Sequence, residues 1–301
     1  MNQIYRKLIF LILRATLIPY LVREVMQRHK VTIVAYHNLD PRRADIHFNV
    51  LKRAYNIISL RDYLRARDSE RLFILPQKAL IITFDDGSKD NYLLKPIIEK
   101  YKIPITIFLC SGIIGTNRQF WWNYDEISNI NRLKAVTDNE RIDILANLGF
   151  NESKEIGTRE ALNKNEIEEL ASTGLVDFQC HTVTHPCLPK CSEEKASFEI
   201  FNSKKQLESN FNCKVYAISY PNGDYSDRDV ELVMLAGYEC ALTVDPGFND
   251  EKTNLFKLRR FGLSDSSDVD ELLVKTCGFW AFSKRFFMGQ DYGYQRTGGK
   301  S

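Results

Sequence analysis

The 301-residue chain has no apolar run long enough to cross a bilayer: the stretch Leu8–Leu13 stops at Arg14, whereas a span needs ~20 mostly apolar residues. It has almost no net charge, +2 from 41 basic and 39 acidic residues, which removes bulk electrostatic attraction as a reason to expect a nucleic-acid partner. Its seven cysteines are odd in number and irregularly spaced, which excludes a disulfide framework and fits a reducing, cytoplasmic compartment. Cys187 and Cys191 are close enough to form a metal pair, but no second close pair accompanies them, and they read as free thiols. Repeats and low-complexity stretches are absent. Histidine is scarce: there are five, and none follows His185. What is present is an ordinary globular composition, 44% hydrophobic and 27% charged, in a chain long enough for one α/β barrel or doubly wound sheet.

The charge is distributed unevenly. Ten of the 41 basic residues, but two of the 39 acidic ones, lie in residues 1–30 and 278–301. The N-terminal segment lacks the uninterrupted apolar centre and small-residue site of a cleaved signal. It reads as a basic, apolar helix on a membrane surface, at the inner face of a membrane for a cytoplasmic protein, or as a helix packed on the protein itself. The C-terminal tail repeats the theme, with Trp280, Phe282, Phe286 and Phe287 beside Lys284 and Arg285; it could equally serve a dimer.

From residue 31 onward, short apolar runs alternate with helix-like stretches. Residues 31–37, 79–86, 103–110, 176–181, 215–221, 240–244 and 256–264 read as strands. Several are apolar throughout, the pattern of parallel strands covered on both faces. Helices are expected near 48–66, 89–101, 123–148, 163–173, 192–210, 226–237 and 268–276, one opened by an Asn163–Glu166 capping box. Such alternation predicts a β/α barrel or an open α/β sheet. In these folds function gathers where strands end. His37, Asp85 with Asp86, His181 with His185, and Tyr220 with Pro221 all stand at such ends.

His181 and His185 are spaced so that both imidazoles can face one cation, and one carboxylate would complete a three-ligand set with a position left open. Adjacent aspartates at the end of a buried strand are costly unless something neutralises them. One Asp on a metal and one free as a base explains both.

Thr83-Phe84-Asp85-Asp86-Gly87 followed by His181-Thr182-Val183-Thr184-His185-Pro186 resembles the paired motifs of the polysaccharide deacetylases, carbohydrate esterase family four, or NodB homology domain. Ala35-Tyr36-His37, the strand at 105–108, Tyr220–Tyr225, Thr243–Asn249 and the strand carrying Arg260 add to the likeness, which covers about residues 31–265. The resemblance implies a distorted (β/α) barrel over a catalytic domain at 31–277. Between the metal motifs it places a helical insertion at about 115–162; the terminal segments 1–30 and 278–301 flank the domain as a whole. It also implies hydrolysis of an N-acetyl or O-acetyl group on a glycan, in surface polysaccharide biosynthesis or modification. Asp86, His181 and His185 would hold a divalent metal, zinc or else cobalt, nickel or iron. Asp85 would be the general base, and the Asn222 backbone N–H would help hold the oxyanion. Tyr220, Pro221 and Trp122 would line the glycan site.

Three departures stand out. The arginine that braces the base in many members is replaced by Ser219; Arg260 either reaches in to substitute for it or is a surface arginine. No histidine is available near the C-terminus as general acid, so the leaving amine takes its proton from Asp85 or from His37, unless His37 is a hydrogen-bonded core residue. Asp245-Pro246-Gly247 stands where an acidic partner of that histidine would be, and reads as a turn. A deformylase or deacylase of a lipid-linked sugar or small amide, and a non-catalytic glycan-binding module, remain as alternatives.

Overall fold

A computed structural model describes residues 3–69 and 71–288. Eight strands form one sheet: β1 (Thr32–Tyr36), β2 (Asn56–Ile57), β3 (Ala79–Phe84), β4 (Ile105–Leu109), β5 (Val176–Cys180), β6 (Ala217–Ser219), β7 (Cys240–Leu242) and β8 (Phe261–Gly262). All pairs are parallel, in the order β7-β6-β5-β4-β3-β1-β8, with β2 also pairing with β3. β1, β3 and β4 are buried along their whole length, as continuous apolar runs require of strands covered on both faces.

The sheet curls into a distorted half-barrel. Near its open side, Leu258 bridges to Leu242 of β7, and five residues later Leu263 N–H donates to the Ala35 carbonyl of β1 at 2.9 Å. One short segment therefore links the two ends of the curl, and only Phe261–Gly262 within the expected 256–264 strand is strand.

Among the described residues, twelve α-helices surround the sheet: α1 (Gln3–Ala15), α2 (Ile18–Leu21), α3 (Pro41–Ala54), α4 (Leu60–Asp68), α5 (Lys95–Tyr101), α6 (Ile130–Ala135), α7 (Asp138–Asn147), α8 (Lys164–Ser172), α9 (Glu193–Phe211), α10 (Asp227–Leu235), α11 (Val269–Thr276) and α12 (Phe279–Met288). Two expectations need correction. The single helix expected at 48–66 is two, because the chain extends as β2 and restarts at Ser59, whose hydroxyl accepts from Asp62 N–H. The helix expected at 123–148 is also two short ones, divided at Thr137, which forms a capping box with Glu140. The Asn163–Glu166 box opens α8.

The main apolar core lies between the sheet and its helices, with a small separate cluster of Trp121, Leu133, Leu145 and Phe150 in the segment between β4 and β5. Helix α1 packs along α11: Arg6 pairs with Glu271, and Phe10 is buried with its ring 4.9 Å from that of Trp280. No helix among the described residues is long and apolar enough to cross a membrane. The part of the basic tail at 289–301 lies outside the described residues.

Candidate active site

The loops leaving β3, β5 and β6 converge, and several of their backbones are held where side chains rarely sit. Of the eight non-glycine residues with positive φ among the described residues, four are here: Asp86 (72°), Thr182 (66°), His185 (58°) and Asn222 (57°). Residues in this conformation store strain that the surrounding structure must hold. For Asp86 the consequence is direct. Strand alternation would turn adjacent residues to opposite faces; the left-handed turn at Asp86 breaks that alternation, and both aspartates border one site. Gly87 follows at φ +70°, where a Cβ would lie 2.5 Å from Leu109 Cδ2, so any other residue there would carry backbone strain and push the Leu109 side chain aside.

Asp85 is enclosed by hydrogen bonds. Arg260 donates to both of its oxygens, Nη1 to Oδ1 and Nη2 to Oδ2, each at 2.8 Å. The guanidinium is itself pinned by the Thr243 carbonyl (2.7 Å), Thr83 Oγ1 (3.1 Å) and Ser219 Oγ (2.8 Å). Ser219 Oγ in turn donates to Asp85 Oδ2 at 3.3 Å. Burial by itself would push the Asp85 carboxyl up; the charge and hydrogen bonds of Arg260 outweigh it and hold the group well below the usual carboxylate range. Arg260 is 1% exposed, which removes the surface-arginine alternative. Arg260 arrives on the short segment between Leu258, which bridges to β7, and Phe261 of β8.

Asp86, His181 and His185 form the second constellation, their ligand-type atoms all within 4.8 Å of one another. Nε2 of each histidine lies near Asp86 Oδ1, at 3.4 and 3.6 Å, yet that oxygen and His185 Nδ1 are buried without a hydrogen-bond partner. Orphaned buried polar atoms are rare and need an explanation; two imidazoles and a carboxylate are the donor set of a divalent-metal site with an open position. His181 Nδ1 sits 2.7 Å from the Ser219 carbonyl, which assigns the proton to Nδ1 and leaves Nε2 free, the usual outer-shell arrangement of a ligand histidine. Burial, then the neighbouring His181, pushes His185 down to about 3, keeping it in the neutral form a cation needs.

The loop carrying both histidines is held from below by Glu199 of α9, a fully buried carboxylate. Its Oε2 accepts from Val183 and Thr184 N–H (2.7 and 2.9 Å), its Oε1 from Thr184 Oγ1 (2.7 Å), and Lys195 pairs with it at 2.8 Å. From the side, Trp121 Nε1 donates to the His185 carbonyl at 3.0 Å, and the Trp122 ring lies 4.3 Å from the His185 ring. Glu199 did not stand out in the sequence: a mid-helix glutamate looks like any solvated one, and the Lys195–Glu199 spacing is that of an ordinary surface pair.

The other expected site residues separate into two groups. Asn222 lines a cavity of about 480 Å³ together with Lys134, Asp224, Arg260, Trp280 and Lys284; Asn222 Nδ2 also approaches Cys187 Sγ at 3.5 Å. His37 is exposed just beyond β1, and its charge contributes to holding both aspartates ionised. The core-histidine alternative for it is therefore wrong; the buried histidine is His47, bound between Tyr36 Oη (2.9 Å) and the Ser266 carbonyl (2.6 Å). Tyr220 and Pro221 also need correction as glycan-lining residues. Both are buried, and Tyr220 Oη donates to the Phe256 carbonyl at 3.1 Å; they shape the loop that presents Asn222. Asp245 accepts from Tyr225 Oη at 3.1 Å. All seven cysteines are free thiols.

A family model described as polysaccharide deacetylase matches residues 74–241, more than half of the chain. Among curated proteins, YxkH of Bacillus subtilis (strain 168), which carries the same family description, is 25% identical over 189 residues, 62% of this chain and 52% of that protein. A poly-beta-1,6-N-acetyl-D-glucosamine N-deacetylase of Staphylococcus aureus (strain MSSA476) is 26% identical over 209 residues, 66% of this chain and 59% of its own. The match thus spans little more than half the length of these relatives. The solved structure of Streptococcus pyogenes deacetylase PplD in complex with acetate shares the fold, with a TM-score of 0.62 at 22% identity over 82% of this chain and 98% of that one.

Proposed function

Since the chain belongs to the polysaccharide deacetylase family, we propose that it is a metal-dependent hydrolase that removes N-acetyl groups from an amino-sugar glycan. The observation that carries this reading is the Asp85–Arg260 pair set beside the Asp86–His181–His185 cluster. A glycan-binding module has no use for a buried, charge-braced carboxylate next to a metal-type donor set; a hydrolase does. The catalytic domain is assigned to residues 31–277, with the insertion at 115–162 forming one wall of the glycan groove through Trp122 and Lys134.

Asp86, His181 and His185 are assigned as the ligands of a divalent metal, zinc by donor type. When bound, such a cation supplies polarisation of the acyl carbonyl and acidification of water. Asp85 stays ionised at neutral pH and is assigned as the base that takes the proton of the attacking water. The same interactions that keep it ionised make the acquired proton easy to give up, and Asp85 is assigned its return to the leaving amine, the more basic group. Arg260 and Ser219 hold the carboxylate in one orientation. The Asn222 N–H is assigned to the oxyanion. His37, on the rim, is assigned a subsidiary part.

The substrate class rests on the Staphylococcus relative, whose name specifies a β-1,6-linked N-acetylglucosamine polymer. The setting is surface polysaccharide biosynthesis on the cytoplasmic side of a membrane, supported by seven free thiols and a basic N-terminal segment. Two measurements test the reading. Bound metal by mass spectrometry should be near one per chain, and be lost in the doubly substituted His181→Ala/His185→Ala protein. Acetate release from poly-β-1,6-N-acetylglucosamine oligomers should require that metal. A metal-free wild type, even after dialysis against zinc or cobalt, would overturn the proposal; formate release from N-formyl sugars with no acetate release would replace the acyl group.

A further inference from the structure

Eleven of the 21 large apolar side chains exposed among the described residues lie between Ile4 and Met26. They are not the leftover of an undocked helix. The inner side of α1 is committed to the protein: Phe10 is buried against Trp280, Arg6 Nε donates to Glu271 at 3.1 Å, and Arg14 approaches Asp270 at 3.7 Å. With that side fixed, Ile4, Leu8, Leu11 and Ile12 form an outer stripe at the i, i+4, i+7, i+8 spacing of one helix face, exposed by between 49% and 73%. Leu17, Leu21, Val25 and Met26 extend it, and Tyr5 and Tyr20 stand exposed beside it.

Of the six basic side chains in residues 1–30, Arg6, Arg14 and Arg23 face Glu271, Asp270 and Glu24, and Glu24, the acidic residue of the segment, also pairs with Lys78 (3.1 Å); the charge that remains on this face is positive. Lys7 and Arg28 are exposed. A second copy would bring the same positive rim against itself. An anionic bilayer complements both properties: apolar stripe into the acyl boundary, lysine and arginine toward lipid phosphates, tyrosines at the headgroup level. We infer that the outer face of α1, continued through residue 26, docks this protein in the plane of an anionic bilayer. The docked helix adjoins the cavity lined by Asn222 and Arg260 through one ring contact, Phe10 on Trp280, and Trp280 lines that cavity. The inference extends the hydrolase reading and does not depend on it, because lipid binding is measured without turnover.

The full chain is sedimented with vesicles of phosphatidylcholine alone and of phosphatidylcholine mixed with phosphatidylglycerol. Expected is sedimentation with the mixed vesicles, reversed by raised salt and weaker with neutral ones. Leu8→Glu/Leu11→Glu/Ile12→Glu should abolish it. Lys7→Glu/Arg28→Glu should weaken it by about tenfold or more while leaving the apolar face intact, which covers the case in which the triple variant fails to fold. Protein left in the supernatant with both vesicles would overturn the inference, as would equal binding to both compositions. So would a dimer, seen by light scattering, that forms instead of vesicle binding and is broken by the triple substitution.

Discussion

On the strand-end side of the site, Asp85, Arg260, Ser219 and Thr83 satisfy one another with five hydrogen bonds. On the opposite side, residues 118–150 hold the His185 loop through one indole hydrogen bond, ring contacts and a small apolar cluster. The first wall leaves no polar atom of these four residues unsatisfied. The second leaves Arg118 Nε, Asp138 Oδ2 and Arg141 Nη1 buried without partners. A low-dielectric interior raises the cost of every misplacement in the first wall, so its residues behave as one unit. The second wall is assembled from short capped helices and can vary in shape without disturbing the charges. In the proposed reading, chemistry is placed where geometry is over-determined, and the surface assigned to the glycan where it is not.

Six substitutions would break or sharpen this contrast. The largest effect is expected from Arg260→Ala. Removing one partner of a buried ion pair leaves an uncompensated charge, at a cost of about 3–5 kcal/mol, so thermal unfolding should shift strongly downward and turnover should vanish with it. A protein of unchanged stability would mean that Asp85 is not the enclosed anion described above. Asp85→Asn is milder for the fold. Bound metal should persist while turnover falls by about 10²–10⁴-fold, and retained activity would remove Asp85 as the base.

Glu199→Gln weakens the support of the His181–His185 loop without touching either histidine. Metal affinity, read by competition with a chelator, is expected to fall about 10–100-fold, with kcat of the fully loaded enzyme little changed. On the insertion wall, Trp121→Phe deletes a single hydrogen bond, worth about 1 kcal/mol; KM should rise more than kcat falls, the reverse of the Asp85 result. A drop as deep as that of Asp85→Asn would erase the distinction between the walls.

The smallest effect concerns Asp224, which burial pushes up to about 6 against the pull of Lys134 and Lys190, with Asp245 adding to the rise. It is neutral below that pH and negative above it. A step near pH 6 in kcat/KM should therefore disappear in Asp224→Asn. Lys134→Met removes a cation that favours the charged form and should move the step upward by less than about one unit. A step unaffected by both changes belongs to another group.

Much of this site was legible from local pattern. Apolar runs announced parallel strands; paired carboxylates and paired histidines at the ends of those runs announced a metal-type cluster, since buried charge at a strand terminus needs a partner. The capping signals at Ser59 and Thr137 were also present, and they explain why two long helical stretches are each broken. The errors at Tyr220 and Pro221 have a different source. The resemblance places these positions at the site, but a strand buried on both faces offers no solvent side, and the residue at its end points wherever the curl directs it.

The sequence by itself determined the strand–helix alternation, the ends at which chemistry gathers, and the identity of Asp85, Asp86, His181 and His185 as the groups to explain, because each follows from spacing within a few residues. Only the tertiary structure decided that Arg260, 175 residues from Asp85, closes on it beside Ser219. The same holds for Glu199 beneath the histidine loop and for the outward turn of α1's second apolar face. Those meetings depend on the register and curl of the whole sheet, and no local window of the chain contains either.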